Sequence, residues 1–281
     1  MPIVHEWSYD DPNWNYLWFG YFSGCHKYGD ILTFVRSYLD SLPQSIYLYI
    51  PRGDGVVQQP GNHLISLSDI EEKESLVPSG CTFLTLALST RNSSHPSIIL
   101  APLDDGLFTR PFALCDVTMV PWEQKQSRAF WRGKSTGDTL ESEPYNLRIK
   151  VANTLQGNPN ADVEFGQDTS IQTFLNYKYL LVLDGTCIAS SLHWTFASGS
   201  VPILVTHPGN DWWFKRYIEP MKHYVPVNYD LSDLDDKLNW LLAYDDKAQE
   251  IAANAMEFSK YYLSSGFQKY HLENEIARLM V

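Results

Sequence analysis

The seven residues Tyr177-Lys178-Tyr179-Leu180-Leu181-Val182-Leu183 constrain this chain most. Within them Tyr179–Leu183 is too apolar to alternate, and such a run predicts a parallel strand covered on both faces. Asp184-Gly185 ends it. The small-residue stretch Ala189-Ser190-Ser191 follows, then Ala197-Ser198-Gly199-Ser200, Val201-Pro202-Ile203 and finally His223-Tyr224-Val225-Pro226-Val227. This order reads as a buried strand, a loop of small side chains, a short helix and a second buried strand. In open α/β sheets ligands sit outside the carboxyl ends of the strands, against helix N-termini that favour anions. The segment is therefore read as a phosphate-facing βαβ unit.

The remainder supports an α/β chain. Ile31, Phe34, Val35, Tyr38 and Leu39 recur at helical spacing before a Pro43 stop. Ile46–Ile50, Phe83–Leu88 and Ile98–Leu103 read as strands, with Pro51–Gly61 and Ala101–Gly106 as loops after two of them. A second unit is expected to open on Val117–Pro121 and a Gly-containing loop around Arg132. Asn146–Leu155 reads as helical. Ser232-x-x-Asp235 marks a helix start before Leu234, Leu238, Leu241 and Leu242. Asp245-Asp246 opens another helix that sends Ala248, Ile251, Ala252, Ala255 and Phe258 to the core, and Phe267–Met280 forms a last one. The expected division is 1–116 and 117–281, with the last helix free to pack back on the first lobe.

At 281 residues the chain can bury a sizeable core, and its 44% hydrophobic content is that of a globular protein. A net charge of -12 excludes nucleic acid as a partner, because phosphate-backbone binding needs a basic face. It does not exclude a nucleotide, for which only the local field matters. Cys25, Cys81, Cys115 and Cys187 form no CxxC pair and read as reduced thiols. The N-terminus lacks the basic start and apolar run of a signal peptide, and no stretch is apolar enough to span a bilayer, so a cytoplasmic protein is expected.

Taken in order, Lys-Tyr-Leu…Asp-Gly, Ser-Ser, Ala-Ser-Gly-Ser-Val and His-Tyr-Val-Pro-Val resemble the C-terminal half of glycosyltransferase family 90. This is the capsule-associated-protein family, which includes protein O-glucosyl- and O-xylosyltransferases. Phe130-Trp131-Arg132-Gly133-Lys134-Ser135-Thr136-Gly137 resembles that family's Arg-Gly loop, and the resemblance runs from about Phe130 to Tyr262. It implies GT-B architecture, two Rossmann-like lobes with a cleft, and an inverting transfer from a UDP-sugar to a hydroxyl of a glycan or glycoconjugate. The compact length is similar to that of short xylosyltransferases of large algal viruses, which points to xylose first and glucose next. The alternative is an inactive relative that binds glycan or a protein partner.

Such a transfer needs cations or N–H groups at the leaving diphosphate, a hold on the nucleoside and a base for the acceptor. Arg132 and Lys134, in a loop with Gly133 and Ser135, supply cations for phosphate; Arg148 is a third candidate. Equally, Arg132 could pair with a carboxylate while Lys134 and Arg148 are surface charges. The stretch Gly185, Thr186, Cys187, Ile188, Ala189 and Ser190 matches the family's donor-contacting loop, and Ser190 also suits a helix cap. The family places Arg directly after the Ser pair, where this chain has Ser191; His193, a loop lysine or a divalent ion would have to substitute. No metal is otherwise required. Asp168 lies where family members carry an acidic residue near the nucleoside, or it is a helix cap. The resemblance implies Asp54, in Pro51-Arg52-Gly53-Asp54-Gly55, as the catalytic base, with Asp104 and Asp105 in reserve; outside the family it is a turn Asp. Asp233-x-Asp235 reads as a helix start and not a metal site. Trp212 and Trp213 are the expected acceptor-stacking residues.

Overall fold

A computed structural model describes residues 4–7, 29–42, 46–49, 55–57, 64–102, 117–137, 146–166, 169–185 and 188–280. In chain order the strands are β1 (Val4–Trp7), β2 (Ile46–Tyr49), β3 (Gly55–Val57), β4 (Leu64–Ser66), β5 (Thr82–Ala87), β6 (Ser89–Arg91) and β7 (Ile98–Leu100). Then come β8 (Gln126–Gly133), β9 (Ala161–Phe165), β10 (Tyr177–Leu183), β11 (Val201–Val205), β12 (Asn210–Trp212) and β13 (Val225–Pro226). The chain divides into two compact units, Met1–Pro111 with Gly209–Trp213 and Ser264–Val281, and Phe112–Pro208 with Phe214–Leu263.

The first unit holds a parallel sheet in the order β1-β2-β5-β7. The helix Gly29–Asp40 buries Ile31, Val35 and Leu39 in the same core as Leu48, Leu84 and Leu86. Leu272 and Ile276, from the final helix Ser265–Leu279, complete that core. A separate core joins Tyr49, Phe83 and Ile98 to Ile70 of the helix Leu67–Ser75. This helix starts on a capping box in which Ser66 and Asp69 satisfy each other's backbone N–H. A small second sheet has the order β12-β6-β3-β4. Two of its strands fall where the sequence reads only loop or nothing: β3 lies within Pro51–Gly61, and β4 runs directly into its helix. At three residues each, they are too short to carry a periodicity signal.

The second unit is a five-stranded, all-parallel sheet in the order β13-β11-β10-β8-β9. Every residue of β10 is buried, as a central strand with both faces covered requires. One face packs Ala129, Trp131, Tyr179, Leu181 and Leu183 against the helices Leu147–Thr154, Leu234–Ala243 and the start of Asp245–Tyr262. Opposite, Phe130, Tyr177 and Leu180 pack with Phe174, Trp194 and Ala197. One local reading changes. Phe130-Trp131-Arg132 is the end of β8 and not a loop. The strand follows a single 3-10 turn, Trp122–Gln124.

Lys125 pins the amino end of this sheet. Its ammonium, almost wholly buried, donates to Leu175 O at 2.6 Å, Ser200 Oγ at 2.9 Å and Ser198 O at 3.3 Å. Those acceptors carry no formal charge, so burial pulls its pKa down from the ordinary 10.5 to about 8. Lys178 is offset differently: it donates to Asp245 Oδ1 at 2.6 Å and lies over the Trp122 ring, whose indole N–H donates to Asp245 Oδ2.

A candidate phosphate site at the switch point of the second sheet

From β8 the chain crosses to β9 on one side, then returns to β10 on the other, so the topology reverses between β8 and β10. Beyond the carboxyl ends of two such strands a parallel sheet leaves a crevice, because the connections depart to opposite faces. The described segments bordering it are 134–137 after β8 and, after β10, 184–185 and 188–191.

Arg148 occupies the junction of these segments. It is the second residue of the helix Leu147–Thr154, which is started by Asn146: the side-chain oxygen accepts from Ile149 N at 3.1 Å. The Asn146 amide donates at the same time to Ser135 O at 2.6 Å and so ties the loop after β8 to the helix start. Arg148 Nη1 donates to Lys134 O (3.3 Å) and Thr136 Oγ1 (3.2 Å), and Nη2 donates to Leu183 O (3.4 Å), the last residue of β10. All three bonds are long, and Nε is buried with no acceptor among the described residues. Burial lowers the pKa of Arg148, the buried Asp184 carboxylate opposes that, and the guanidinium remains charged at neutral pH. Gly185 makes the approach feasible, since a Cβ there would lie 2.9 Å from Arg148 Nη2. Asp184 also braces the next strand end by accepting from His207 N at 2.8 Å through Oδ2.

Arg132, which the sequence ranks first among the cations, is differently employed. Its guanidinium donates to Asp162 Oδ1 at 2.5 Å and Asp162 O at 2.9 Å, lies 3.5 Å from Glu164 and covers the Phe130 ring. Asp162 also accepts from the Tyr177 hydroxyl at 2.6 Å. Burial alone would raise this carboxyl, but the bonds from Tyr177 and Arg132 and the charges of Arg132 and Arg128 outweigh it and hold it below the usual range. Arg132 thus joins β8 to β9 as half of an ion pair, the carboxylate-pairing alternative of the sequence reading. The sequence could not decide this, because Asp162 is thirty residues away.

The other expected residues divide as follows. Gly133 ends β8; Lys134 and Ser135 are exposed and present their carbonyls to Arg148 and Asn146. Ile188 is half-buried, Ala189 is buried and Ser190 is exposed, directly before the helix Leu192–Thr195. That helix is a single turn, so its dipole adds little field at this edge. His193 does not replace the missing arginine. It is fully buried with its ring on Phe214, and burial pushes its pKa down to about 3, leaving it neutral. Trp212 and Trp213 belong to the first unit at 3% and 2% exposure, with the Trp213 ring centroid 5.2 Å from that of His271. Both side chains are thus buried in the first unit. Asp54, Asp168, Thr186 and Cys187, with Asp104 and Asp105, lie outside the described residues. Among the described residues no cluster of three His, Cys, Asp or Glu could hold a metal, and no helix is long and apolar enough to cross a membrane.

A parallel sheet of order 2-1-3-4-5 with Arg148 across its switch point defines the class of this unit: an α/β domain with a crevice at its carboxyl edge. The sequence model of glycosyl transferase family 90 matches residues 114–279, more than half of the chain, and the protein belongs to that family. It is similar to rat Protein O-glucosyltransferase 1, 32% identical over 157 residues that cover 49% of this chain and 38% of the rat protein. Uncharacterized protein 179R of Invertebrate iridescent virus 6 is 28% identical over 204 residues, covering 57% of this chain and 17% of the viral one. The chain therefore spans well under half the length of these relatives. A solved structure of Anabaena Alr3699/HepE in complex with UDP overlays on 87% of this chain and 76% of its own, with a TM-score of 0.49 and 11% identity.

Proposed function

We propose that this chain is an inverting, UDP-sugar-dependent glycosyltransferase of GT-B type, acting on a hydroxyl of a glycan or glycoconjugate, with xylose favoured as the donor sugar and glucose next. The observation that carries the reading is Arg148 at the switch point in a chain of family 90. Its guanidinium is held by long, exchangeable bonds to neutral acceptors, and a diphosphate offers it shorter, charge-assisted ones. Backbone N–H groups of Gly185 and of Ile188, Ala189 and Ser190 would add donors to the same anion. In the transfer, Asp54 takes the acceptor proton as the hydroxyl oxygen bonds to the anomeric carbon. The bond from that carbon to the β-phosphate oxygen breaks, its electron pair leaves with UDP, and Arg148 stabilises the charge that develops there.

The test is UDP release from UDP-xylose and UDP-glucose, each with Mn²⁺ and with EDTA, in the wild type and in Asp54→Asn and Arg148→Ala. Turnover of one donor, lost in Asp54→Asn with UDP binding kept, supports the assignment. Survival in EDTA establishes metal independence. Absence of binding to any UDP-sugar favours an inactive, glycan- or protein-binding relative, for which Ser191 in place of the family arginine is the sequence argument.

A further inference from the structure

Large side chains left exposed at a sheet's carboxyl edge are uncommon among the described residues of the second unit, and Phe165 is one. It is 47% exposed and ends β9, in register with Gly133 at the end of β8. Strand alternation puts it on the side of Ala161 and Val163, which pack toward the core of the helix bearing Arg148. Asp162 and Glu164 point the other way, to Arg132. Gly133 matters here because a Cβ on it would come within 2.6 Å of the Trp131 ring, so only glycine lets the indole lie along β8. The buried indole meets Phe165 edge-to-face, with centroids 5.9 Å apart and planes at 87°. It also lies 6.0 Å from the Arg148 guanidinium.

Trp131 therefore links the two: the Phe165 ring is no more than about 12 Å from Arg148, within the reach of a ribosyl diphosphate. An edge-to-face contact occupies one side of a ring, and the exposure of Phe165 leaves the rest to solvent. A buried scaffold thus holds upright an aromatic surface at the distance a nucleoside needs from its phosphates. Among the described residues of this unit the other exposed aromatics are Tyr244, between the helices Leu234–Ala243 and Asp245–Tyr262, and Tyr261, on the second of them.

We propose that Phe165 is the stacking surface for the nucleobase of the donor, braced by Trp131, with Arg148 taking the diphosphate of the same molecule. The assignment rests on the UDP-sugar reading above. The test titrates UDP and inorganic pyrophosphate into the full chain and into Phe165→Ala, Phe165→Leu and Phe165→Tyr, with thermal unfolding as the check on the fold. Loss of one base–aromatic stack weakens UDP binding by about 5- to 100-fold in the alanine variant. The tyrosine variant retains UDP affinity, the leucine variant does not, and pyrophosphate binds all four proteins alike. Unchanged UDP affinity in Phe165→Ala, or a parallel loss of pyrophosphate, overturns this assignment alone. A wild type that binds no UDP overturns the donor reading and this assignment with it.

Discussion

Arg132 and Arg148 lie sixteen residues apart and carry the same charge, yet their surroundings assign them opposite tasks. Arg132 faces a carboxylate at salt-bridge distance, whereas Arg148 is held by carbonyls and a threonine hydroxyl. Arg132→Ala should therefore lower stability by about 1.5–3 kcal/mol, the usual worth of a bond to a charged group, and leave UDP affinity nearly intact. Arg148→Ala should do the reverse and weaken UDP binding by about 10- to 100-fold, the same range of free energy. Denaturant unfolding and calorimetric titration of both variants separate the roles; equal effects on both readouts would contradict the division. Gly185→Ala tests the same point without removing charge. Its Cβ would displace a flexible guanidinium, so UDP affinity should fall while the unfolding midpoint barely moves. Lys125 gives a pH signature. Its folded pKa, about 8, lies below the ordinary 10.5, so the unfolded chain holds more protons between these values and stability gains as pH rises through that window. The gain is on the order of a few kcal/mol, and Lys125→Met should remove it; unfolding of both proteins from pH 7 to pH 10 shows the difference in slope.

At the level of elements, the strands differ in how openly the sequence announces them. β10 is legible because a central strand covered on both faces favours an unbroken apolar run, which Tyr179–Leu183 supplies. Leu181→Ala there should cost about 2–5 kcal/mol, measured by denaturant unfolding, because close packing limits collapse around the cavity. β8 is harder to see. Its burial runs from exposed Gln126 to buried Trp131, and Arg132-Gly133 resembles the start of a loop when it is the end of a strand. The helix Leu147–Thr154 shows weak sidedness, and its Asn146 cap is its clearest local signal. Through that cap the element positions the site: Asn146 fixes both the helix start and the loop after β8, and Arg148 follows two residues later.

Across the whole molecule, the order of the chain and the order of the units do not coincide. The first unit takes in Gly209–Trp213 and Ser264–Val281, from well beyond the nominal boundary. The late strand β12 pairs antiparallel with β6, and Arg91 donates to the Asn210 side chain at 2.7 Å. The last helix contributes Leu272 and Ile276, both fully buried, and places the His271 ring nitrogen Nε2 2.9 Å from Leu100 O. Ending the chain at Leu263 should therefore expose the core of the first unit. Limited proteolysis should then cut the segment Gly29–Leu100 faster than in the full chain, while Gln126–Val205 remains protected; equal protection of both segments would show that the final helix is dispensable.

The sequence alone determined what depends on neighbours along the chain: the apolar strand, the amphipathic C-terminal helices and the ordered blocks that resemble family 90, although the helices Leu234–Ala243 and Asp245–Tyr262 start without the side-chain caps that Ser232-x-x-Asp235 and Asp245-Asp246 suggest. Those features follow from backbone periodicity and the chemistry of adjacent residues. Tertiary structure decided which cation stands at the switch point, since a charge is committed by whatever carboxylate the fold brings beside it. It likewise buried His193, Trp212 and Trp213, side chains whose composition equally suits a ligand surface. It also left Phe165 exposed, because the strand opposite ends in a glycine and the adjacent indole covers one side of its ring. Burial and charge pairing are set by residues distant in sequence, so neither can be read from the local pattern of the chain.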